Sequence, residues 1–368
     1  MTRPPHSAGG PHVAPFRPRR PFVHSSPLVA INDAVRALAH GRSLSVTESM
    51  AAFDAVMAGT ASPALVAALL MGLRVKGETA AEVAGAAMAL RNAMTRLGAT
   101  NPAGLVDTCG TGGGALTTFN ISTAAALVAA GAGVRVAKHG NRSFTSKSGS
   151  ADVLEALGIA IDLTPDRMGE VLNEAGIVFM FAPTMHPAMR HVGPVRRELG
   201  VPSVMNLVGP LANPAMAGRQ VMGVADASRV ELVAAALAEL GTAHALVVHG
   251  EPGLDEISPL GATRVVEVRG GELSRWTIDP MAEGFAPSNA ADLAGGEPLE
   301  NARVIEAVLE GRGTPGAEAA VLLNAAGAIY VAGLASHFSS SLGVAREALR
   351  SGAAREALAR LRKAAPRR

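Results

Sequence analysis

Val106-Asp-Thr-Cys-Gly-Thr-Gly-Gly-Gly114 leads into Phe119-Asn-Ile-Ser-Thr123 and then Lys138-His-Gly-Asn-Arg142, and these three segments indicate the fold. An apolar strand runs into a glycine-rich turn, a helix start follows with amide and hydroxyl side chains, and a second strand ends in a lysine. Glycines let backbone N–H groups turn toward an anion and approach it closely. Unpaired N–H groups at a helix start also favour a phosphate. The pattern predicts a site for a ligand with several phosphate groups.

Two common phosphate-binding motifs fit this segment poorly. Gly110-Thr-Gly-Gly-Gly-Ala115 matches the loose dinucleotide pattern Gly-x-Gly-x-x-Ala. That fingerprint also needs a helix directly after the glycines and an acidic residue after the next strand, where this chain has Arg135 and Lys138. A P-loop would need Gly-Lys and then Ser or Thr at a fixed spacing, which the glycines here do not have. A tight glycine turn without a ligand is the remaining alternative for the glycines alone.

The composition predicts a large folded protein with no nucleic-acid partner. The 368 residues are 48% hydrophobic and 17% charged, which is enough to bury a sizeable core in two lobes. Only 3% are aromatic, which argues against a base-stacking surface. The net charge is +2, and much of the basic excess lies at the two chain ends. Cys109 is the single cysteine, so an intrachain disulfide is excluded.

Hydrophobic periodicity divides the chain into a helical part and an α/β part. Helix signals dominate up to about residue 100, with capping boxes at Ser45-Val-Thr-Glu48 and Thr79-Ala-Ala-Glu82 and a Ser62-Pro63 helix start. Short apolar runs then alternate with helical segments, which predicts a mostly parallel central sheet flanked by helices. We expect strands at Leu105–Thr108, Val134–Lys138, Ile159–Leu163, Ile177–Ala182, Gln220–Ala225 and Ala245–His249, and a hairpin over 264–279 with its turn at Gly270-Gly271. The helices between them are expected at Thr123–Ala130, Ala151–Leu157, Asp166–Glu174 and Ser228–Leu240.

The first 27 residues predict a disordered leader. Seven prolines lie there among glycine, histidine and arginine, without the apolar core of a signal peptide. Apolar runs of about 18 residues without polar interruption are also missing from the sequence, so we expect no membrane span. With a single cysteine, the expected location is cytoplasmic.

Together with Gly149-Ser-Ala-Asp-Val-Leu-Glu-Ala-Leu-Gly158, the quoted motifs resemble those of the anthranilate phosphoribosyltransferases of tryptophan synthesis. Further matches follow in the expected order: His186-Pro-Ala-Met-Arg190, Arg196-Arg-Glu-Leu-Gly200, Asn206-Leu-Val-Gly-Pro-Leu211 with Asn213-Pro214, Asp255-Glu-Ile-Ser258 and Leu323-Asn-Ala-Ala326. The resemblance runs from about residue 30 to the C-terminus. It implies a helical lobe over 28–100 with a returning segment near 183–211, a phosphoribosyl-diphosphate-binding α/β lobe over 101–368, and a homodimer through the helical lobe.

The resemblance also implies a reaction and a set of site residues. Phosphoribose would pass from phosphoribosyl diphosphate to the amine of anthranilate, giving N-(5-phosphoribosyl)anthranilate and diphosphate in L-tryptophan biosynthesis. Two Mg²⁺ ions per subunit would be held with help from Ser122, Asp255 and Glu256. The residues expected to be catalytic are Lys138, His139, Asn141 and Arg196, the last as the anchor of the anthranilate carboxylate. The residues expected to bind substrate are Gly110, Gly113, Gly114, Thr118, Asn120, Ile121, Ser122, Thr123, Lys138, Asn141, Arg142, Ser146, Ser150 and Arg196.

One position departs from the family pattern and keeps alternatives open. The family's loop usually ends Gly-Thr-Gly-Gly-Asp, whereas this chain has Gly114. The lost carboxylate could have contacted the ribose or metal-bound water, so a phosphoribosyltransferase with another aromatic amine acceptor is an alternative. A pyrimidine nucleoside phosphorylase would not be expected to show Lys138-His-Gly-Asn141 with the Asp255-Glu256 pair. A nucleic-acid-binding relative without activity would be expected to lack the glycine-rich turn at 110–114.

Overall fold

The computed structural model describes residues 27–99, 101–143 and 147–367. The predicted leader therefore lies outside the described residues, except for Pro27. The described chain begins with four helices: α1 Pro27–Ala39, α2 Val46–Met57, α3 Pro63–Lys76 and α4 Ala80–Ala93. Both predicted capping boxes are confirmed at the starts of α2 and α4. Ser62 caps α3 by accepting a hydrogen bond from Leu65 N–H, also as predicted.

Strands and helices alternate after α4. In chain order they are β1 Val106–Gly110, α5 Ile121–Gly131, β2 Val136–Gly140, α6 Ser150–Ala156, α7 Pro165–Ala175, β3 Ile177–Phe181, α8 Ala182–Met185, α9 Gly193–Leu199, α10 Met205–Val208, β4 Arg219–Gly223, α11 Val230–Glu239, β5 His244–Gly250, β6 Thr263–Arg269, β7 Glu272–Ile278, α12 Pro298–Leu309, α13 Pro315–Ala332, α14 Phe338–Arg350 and α15 Ala353–Ala364.

The strands of the described chain form one sheet in the order β3-β2-β1-β4-β5-β6-β7. The first five are parallel to one another, while β6 and β7 form an antiparallel hairpin at one edge. Gly270 and Gly271 make the hairpin turn with φ of 59° and 88°, values that glycine adopts readily. The predicted α/β fold, with a helical lobe and a mostly parallel sheet flanked by helices, is confirmed.

One strand prediction is wrong. Residues 159–163 form no strand, and Ile159 makes only an isolated bridge to Pro366. The segment follows Gly158, which has a φ of 80°, and leads into the α7 cap at Thr164. Ile159 and Ile161 are buried, and the Ala160 N–H donates to the Ala365 carbonyl. The apolar run therefore packs beneath the C-terminal segment instead of extending the sheet.

Two buried hydrophobic clusters cover the two faces of the sheet. The first contains α5, α7 and the C-terminal helices. The second joins α1–α4 to α9–α11 and to apolar side chains of β4–β6. Residues 188–211 contribute to this second cluster, so the segment after β3 packs with the N-terminal helices. Among the described residues, only α13 is long and apolar enough to span a membrane, and 78% of it is buried inside the protein, which is typical of a core helix.

Candidate active site

The glycine loop lies where β1 and β4 end side by side, beneath the segment that carries Asp255. Gly110 pairs with Gly223 across these strands. A Cβ atom on Gly110 would lie 2.2 Å from Asp255 Oδ2, and one on Gly223 would lie 1.7 Å from the Asp255 carbonyl oxygen. Such distances are far below van der Waals contact. Both glycines are therefore required for Asp255 to reach the loop.

The loop itself presents open backbone. Gly112 and Gly113 have φ of 71° and 76°, and a Cβ on either would meet nothing within 4 Å. The Gly112 N–H donates to Asp255 Oδ2 over 2.7 Å. Within the described part of the chain, the N–H groups of Gly113 and Gly114 have no hydrogen-bond partner. Two adjacent free donors on an open loop can bind an anion.

Glu256 occupies the N-terminus of α5, where the sequence predicts a phosphate. The Ser122 N–H donates to Glu256 Oε1 over 3.1 Å. Burial, and then the neighbouring Asp255, raise the pKa of Glu256 to about 8, while Lys138 opposes that shift. Burial also raises the pKa of Asp255. Asp255 and Glu256 are thus two half-buried carboxylates close to each other and to Lys138.

Lys138 bridges strands that have separated. β1 pairs with β2 at Val106 and Val136, whereas it pairs with β4 along all five residues. Beyond that point the Lys138 ammonium donates to the Thr108 carbonyl and, over 3.2 Å, to Ser122 Oγ. Its side chain is buried, and this burial lowers its pKa. Lys138 thus connects both strand ends with the start of α5.

Asp107 and Asn213 fill the rest of this gap, and the sequence motifs that contain them predicted no role for either residue. Asp107 is fully buried and accepts from His139 N–H over 3.1 Å and from Asn213 Nδ2 over 2.8 Å. Asn213 Nδ2 also donates to the Ala137 carbonyl over 2.8 Å. Burial raises the pKa of Asp107 to about 6. The backbone groups that the ladder leaves open are thus paired by side chains.

His139 contacts a second histidine, whose role the sequence left open. The Nε2 atoms of His139 and His186 are 3.2 Å apart, so one ring donates and the other accepts. Burial lowers the pKa of His139 well below its usual value and that of His186 to about 4. The pair is therefore neutral at physiological pH.

The polar segment after β2 is bound to α6, the helix that follows it. The Asn141 carbonyl accepts from Ser150 Oγ over 3.3 Å. Arg142 is paired with Asp152 at 2.7 Å and with Glu155 at 2.6 Å, so its charge is already balanced. Ser146, a predicted contact, lies outside the described residues.

The remaining residues around α5 that were predicted to bind substrate are half-buried or buried. The Asn120 amide is engaged by Ser148 and by Asn301, whose Nδ2 donates to Asn120 Oδ1 over 3.0 Å. Ile121 and Thr123 are buried, and their N–H groups donate to the carbonyls of Phe119 and Asn120. Thr118 is half-buried and bridges to Ala294.

Arg196 on α9 has a largely free guanidinium. It is half-buried, and its one hydrogen bond is a long contact of 3.4 Å from Nη2 to Asn206 Oδ1. Over the described ranges it makes no ion pair. Burial lowers its pKa, although a guanidinium stays charged at any physiological pH. A free, half-buried guanidinium is suited to bind a carboxylate.

Oxygen donors for a metal ion converge at the start of α5. Asp255 and Glu256 contact the glycine loop and Ser122, whose Oγ faces Lys138. The described residues contain no group of three or more histidine, cysteine, aspartate or glutamate side chains that could hold a metal. Mg²⁺ commonly binds one or two carboxylates together with substrate phosphates and water. These residues therefore fit a Mg²⁺ site that a phosphorylated substrate would complete.

Comparison with known proteins identifies relatives over almost the whole chain. The "Glycosyl transferase family, a/b domain" matches residues 102–355 and the "Glycosyl transferase family, helical bundle domain" residues 32–94. The anthranilate phosphoribosyltransferase of Symbiobacterium thermophilum is 48% identical over 328 residues, covering 89% of this chain and 96% of the relative. That of Rubrobacter xylanophilus is 50% identical over 330 residues, with coverage of 90% and 96%.

Solved structures agree with these matches. The crystal structure of anthranilate phosphoribosyltransferase from Thermus thermophilus has a TM-score of 0.84 at 44% identity and covers 90% of this chain and 99% of its own. The Saccharomyces cerevisiae enzyme in complex with phosphoribosyl diphosphate and Mg has a TM-score of 0.82 at 26% identity, with coverage of 91% and 98%.

Proposed function

The chain belongs to the anthranilate phosphoribosyltransferase family, and we propose how the residues around the glycine loop transfer phosphoribose to anthranilate. The bond between C1′ of the ribose and the diphosphate oxygen breaks, a bond from the anthranilate nitrogen to C1′ forms, and that nitrogen loses a proton. The nitrogen of an aromatic amine is unprotonated at neutral pH. Stabilising the departing charge therefore matters more than a strong base.

We assign the diphosphate to the glycine loop and to Lys138, which lies beside the start of α5. The free N–H groups of Gly113 and Gly114 and the Lys138 ammonium are the donors that support this assignment. Gly110 would act indirectly, by admitting Asp255. The other proposed contacts to phosphoribosyl diphosphate are Thr118, Asn120, Ile121, Ser122, Thr123, Arg142, Ser146 and Ser150.

We propose that Ser122, Asp255 and Glu256 help to hold Mg²⁺, with two ions per subunit. The yeast relative has a structure with phosphoribosyl diphosphate and Mg. In this chain burial, and then the neighbouring Asp255, raise the pKa of Glu256, so a cation bound beside both carboxylates would favour their charged forms. Bound Mg²⁺ would supply positive charge for the leaving diphosphate.

Anthranilate would lie between Arg196 and the end of β2. Arg196 would bind its carboxylate, and Asn141 would hydrogen-bond the amine or the carboxylate. Because the pKa of His139 is lowered well below its usual range, we propose that His139 hydrogen-bonds and orients the substrate and is not a strong base.

The observation that most supports the proposal is the largely free guanidinium of Arg196. The free N–H groups of Gly113 and Gly114 and the Lys138 ammonium are present in the same protein. The test follows the loss of anthranilate fluorescence with phosphoribosyl diphosphate and Mg²⁺. We expect turnover that needs all three components, and a rise in the anthranilate KM of roughly 10-fold or more for Arg196→Ala, because a charge-assisted hydrogen bond is lost. Arg197→Ala is the matched control, since Arg197 is exposed on the same helix. Equal effects of the two variants would contradict the assignment of Arg196.

We also propose a cytoplasmic homodimer that associates through the helical lobe. Leu28 and Val29 on α1 are 46% and 47% exposed, and Val75 on α3 is 80% exposed. Exposed aliphatic side chains on neighbouring helices support an interface there.

A further inference from the structure

Asn324 is a buried polar residue on α13 that the proposed mechanism does not use. It is 3% exposed, inside a helix that otherwise packs against the sheet. Its Oδ1 accepts from Ile257 N–H over 2.9 Å, and its Nδ2 donates to the Ile257 carbonyl over 2.8 Å. One side-chain amide therefore pairs both backbone groups of Ile257, as a neighbouring strand would.

Ile257 directly follows Asp255 and Glu256, and we propose that Asn324 is the positioning residue that sets where these two carboxylates lie. Residues 255–257 have three hydrogen-bonded anchors in the described chain, and hydrogen bonds of Leu254 and Ser258 hold the flanks. Asp255 binds the Gly112 N–H, Glu256 binds the Ser122 N–H, and Ile257 binds Asn324. The first two anchors are the carboxylates themselves, which are needed for a metal ion. Asn324 is the anchor that stays in place whatever the carboxylates bind.

The neighbouring turn of α13 fits the same segment. Gly327 lies three residues after Asn324, so both face the same side of the helix. A Cβ on Gly327 would lie 3.0 Å from Ile257 Cδ1, which is closer than ordinary contact. Asn324 thus binds the backbone of Ile257 while Gly327 makes room for its side chain. Gly327→Ala would therefore crowd the Ile257 side chain by a few tenths of an ångström without removing a hydrogen bond.

Removing the amide has a clear physical consequence. In Asn324→Leu, a substitution of similar length, the buried N–H and carbonyl of Ile257 lose their partners. Such orphaned groups are costly and tend to move toward other partners. Residues that orient metal ligands typically change metal affinity or activity 10–100-fold when they are replaced. We expect the carboxylates to lose affinity for a divalent cation by about this factor.

The inference rests on the proposed metal site, so the test measures metal binding directly. Mn²⁺ is titrated into the full chain with saturating phosphoribosyl diphosphate and no anthranilate, and free Mn²⁺ is followed by electron paramagnetic resonance. For Asn324→Leu and Asn324→Asp we expect roughly 10–100-fold weaker Mn²⁺ binding. The Mg²⁺ concentration at half-maximal rate should rise in parallel, while the anthranilate KM stays within about twofold. Gly327→Ala should cause a smaller loss in the same direction, and it tests the proposal if the Asn324 variants do not fold.

Ser341→Ala is the matched control. Ser341 is fully buried on α14, and its Oγ donates to the His337 carbonyl over 3.0 Å. We expect this variant to lose stability but to keep the parental Mn²⁺ affinity. Parental affinity in the Asn324 variants would overturn the inference and leave the proposed function standing. Absence of Mn²⁺ binding in the parent would overturn the metal site itself, and the inference with it.

Discussion

Gly114 is the position where the glycine loop differs from the family's usual aspartate. A Cβ there would lie 3.3 Å from Asp255 Oδ1 and 3.1 Å from the Gly253 carbonyl oxygen. A carboxylate at this position would therefore stand beside Asp255, whose pKa is already raised by burial. The glycine relieves this repulsion, and the Asp255 carboxylate binds the loop directly.

We expect Gly114→Asp to make stability depend on Mg²⁺. Two carboxylates about 4 Å apart repel by roughly 4 kcal/mol at an effective dielectric constant of about 20, and relaxation should leave about 2 kcal/mol of destabilisation. Added Mg²⁺ should recover much of this loss. The measurement is the free energy of unfolding in urea with and without Mg²⁺. Gly114→Asn has a similar size and no charge, so an equal Mg²⁺ response in both variants would contradict the electrostatic explanation.

The neutral His139–His186 pair predicts how stability changes with pH. The pKa of His186 is lowered from 6.5 to about 4 by burial. Below pH 6.5 the His186 side chain is protonated in the unfolded chain but stays neutral in the folded chain. The contribution of neutral His186 to the free energy of unfolding is therefore fully present above pH 6.5 and is lost as the pH falls toward 4. Over that window the loss is about 3 kcal/mol, at roughly 1.4 kcal/mol per pH unit.

The test compares the parent with His186→Leu in urea unfolding at several pH values between 4 and 7. Other titrating groups, such as Asp107, are common to both proteins and largely cancel in the difference. We expect the stability difference between the two proteins to shift in favour of the variant as the pH falls. Parallel pH profiles would show that His186 titrates normally in the folded protein.

At the scale of elements, the separation of β1 from β2 makes room for buried polar side chains. The β1–β4 ladder is complete, so β1 is fixed on one side, while its other side opens after Val106. Side chains of Asp107, Lys138 and Asn213 replace the missing ladder bonds. Because the β1–β2 ladder ends early, the end of β2 with Lys138 and His139 is held by side chains instead of by backbone pairing with β1.

The elements of the fold were largely predictable because they follow local rules. β1–β5 and the β6–β7 hairpin came from apolar runs bounded by turn residues, and the α2 and α4 starts came from capping boxes within four residues of sequence. The segment 159–163 was mispredicted because apolar runs of this length do not reveal whether the sheet or another helix covers them.

The supporting residues of the site were harder to predict because their partners are distant in sequence. Asp107 and Asn213 are 106 positions apart, Ile257 and Asn324 are 67 apart, and Asn120 and Asn301 are 181 apart. A lone asparagine in an apolar helix carries no local sign of which backbone it will bind. Asn213 and Asn324 both lie in motifs that resemble the family, but only the three-dimensional structure shows which groups they bind.

At the scale of the whole molecule, the helical lobe and the sheet share one hydrophobic cluster. Leu69 and Leu73 of α3 belong to the same cluster as Val247 of β5 and Val266 of β6. The α4 helix also packs on α11, which covers the sheet. Elements that share a core are expected to unfold together. We therefore expect one cooperative transition in spite of the two-lobe architecture.

The chain offers a clean test, because its only tryptophan, Trp276, lies on β7 in the α/β part. Trp276 fluorescence reports that part alone, whereas circular dichroism at 222 nm reports helices throughout. We expect Leu69→Ala, which deletes a fully buried side chain of α3, to shift both transitions equally by about 2–5 kcal/mol. Leu299→Ala, the same substitution at a 55% exposed position of α12, should change stability by less than about 0.5 kcal/mol. If Leu69→Ala moved the dichroism but left the Trp276 transition unchanged, the two lobes would unfold independently, and the shared cluster would not couple them.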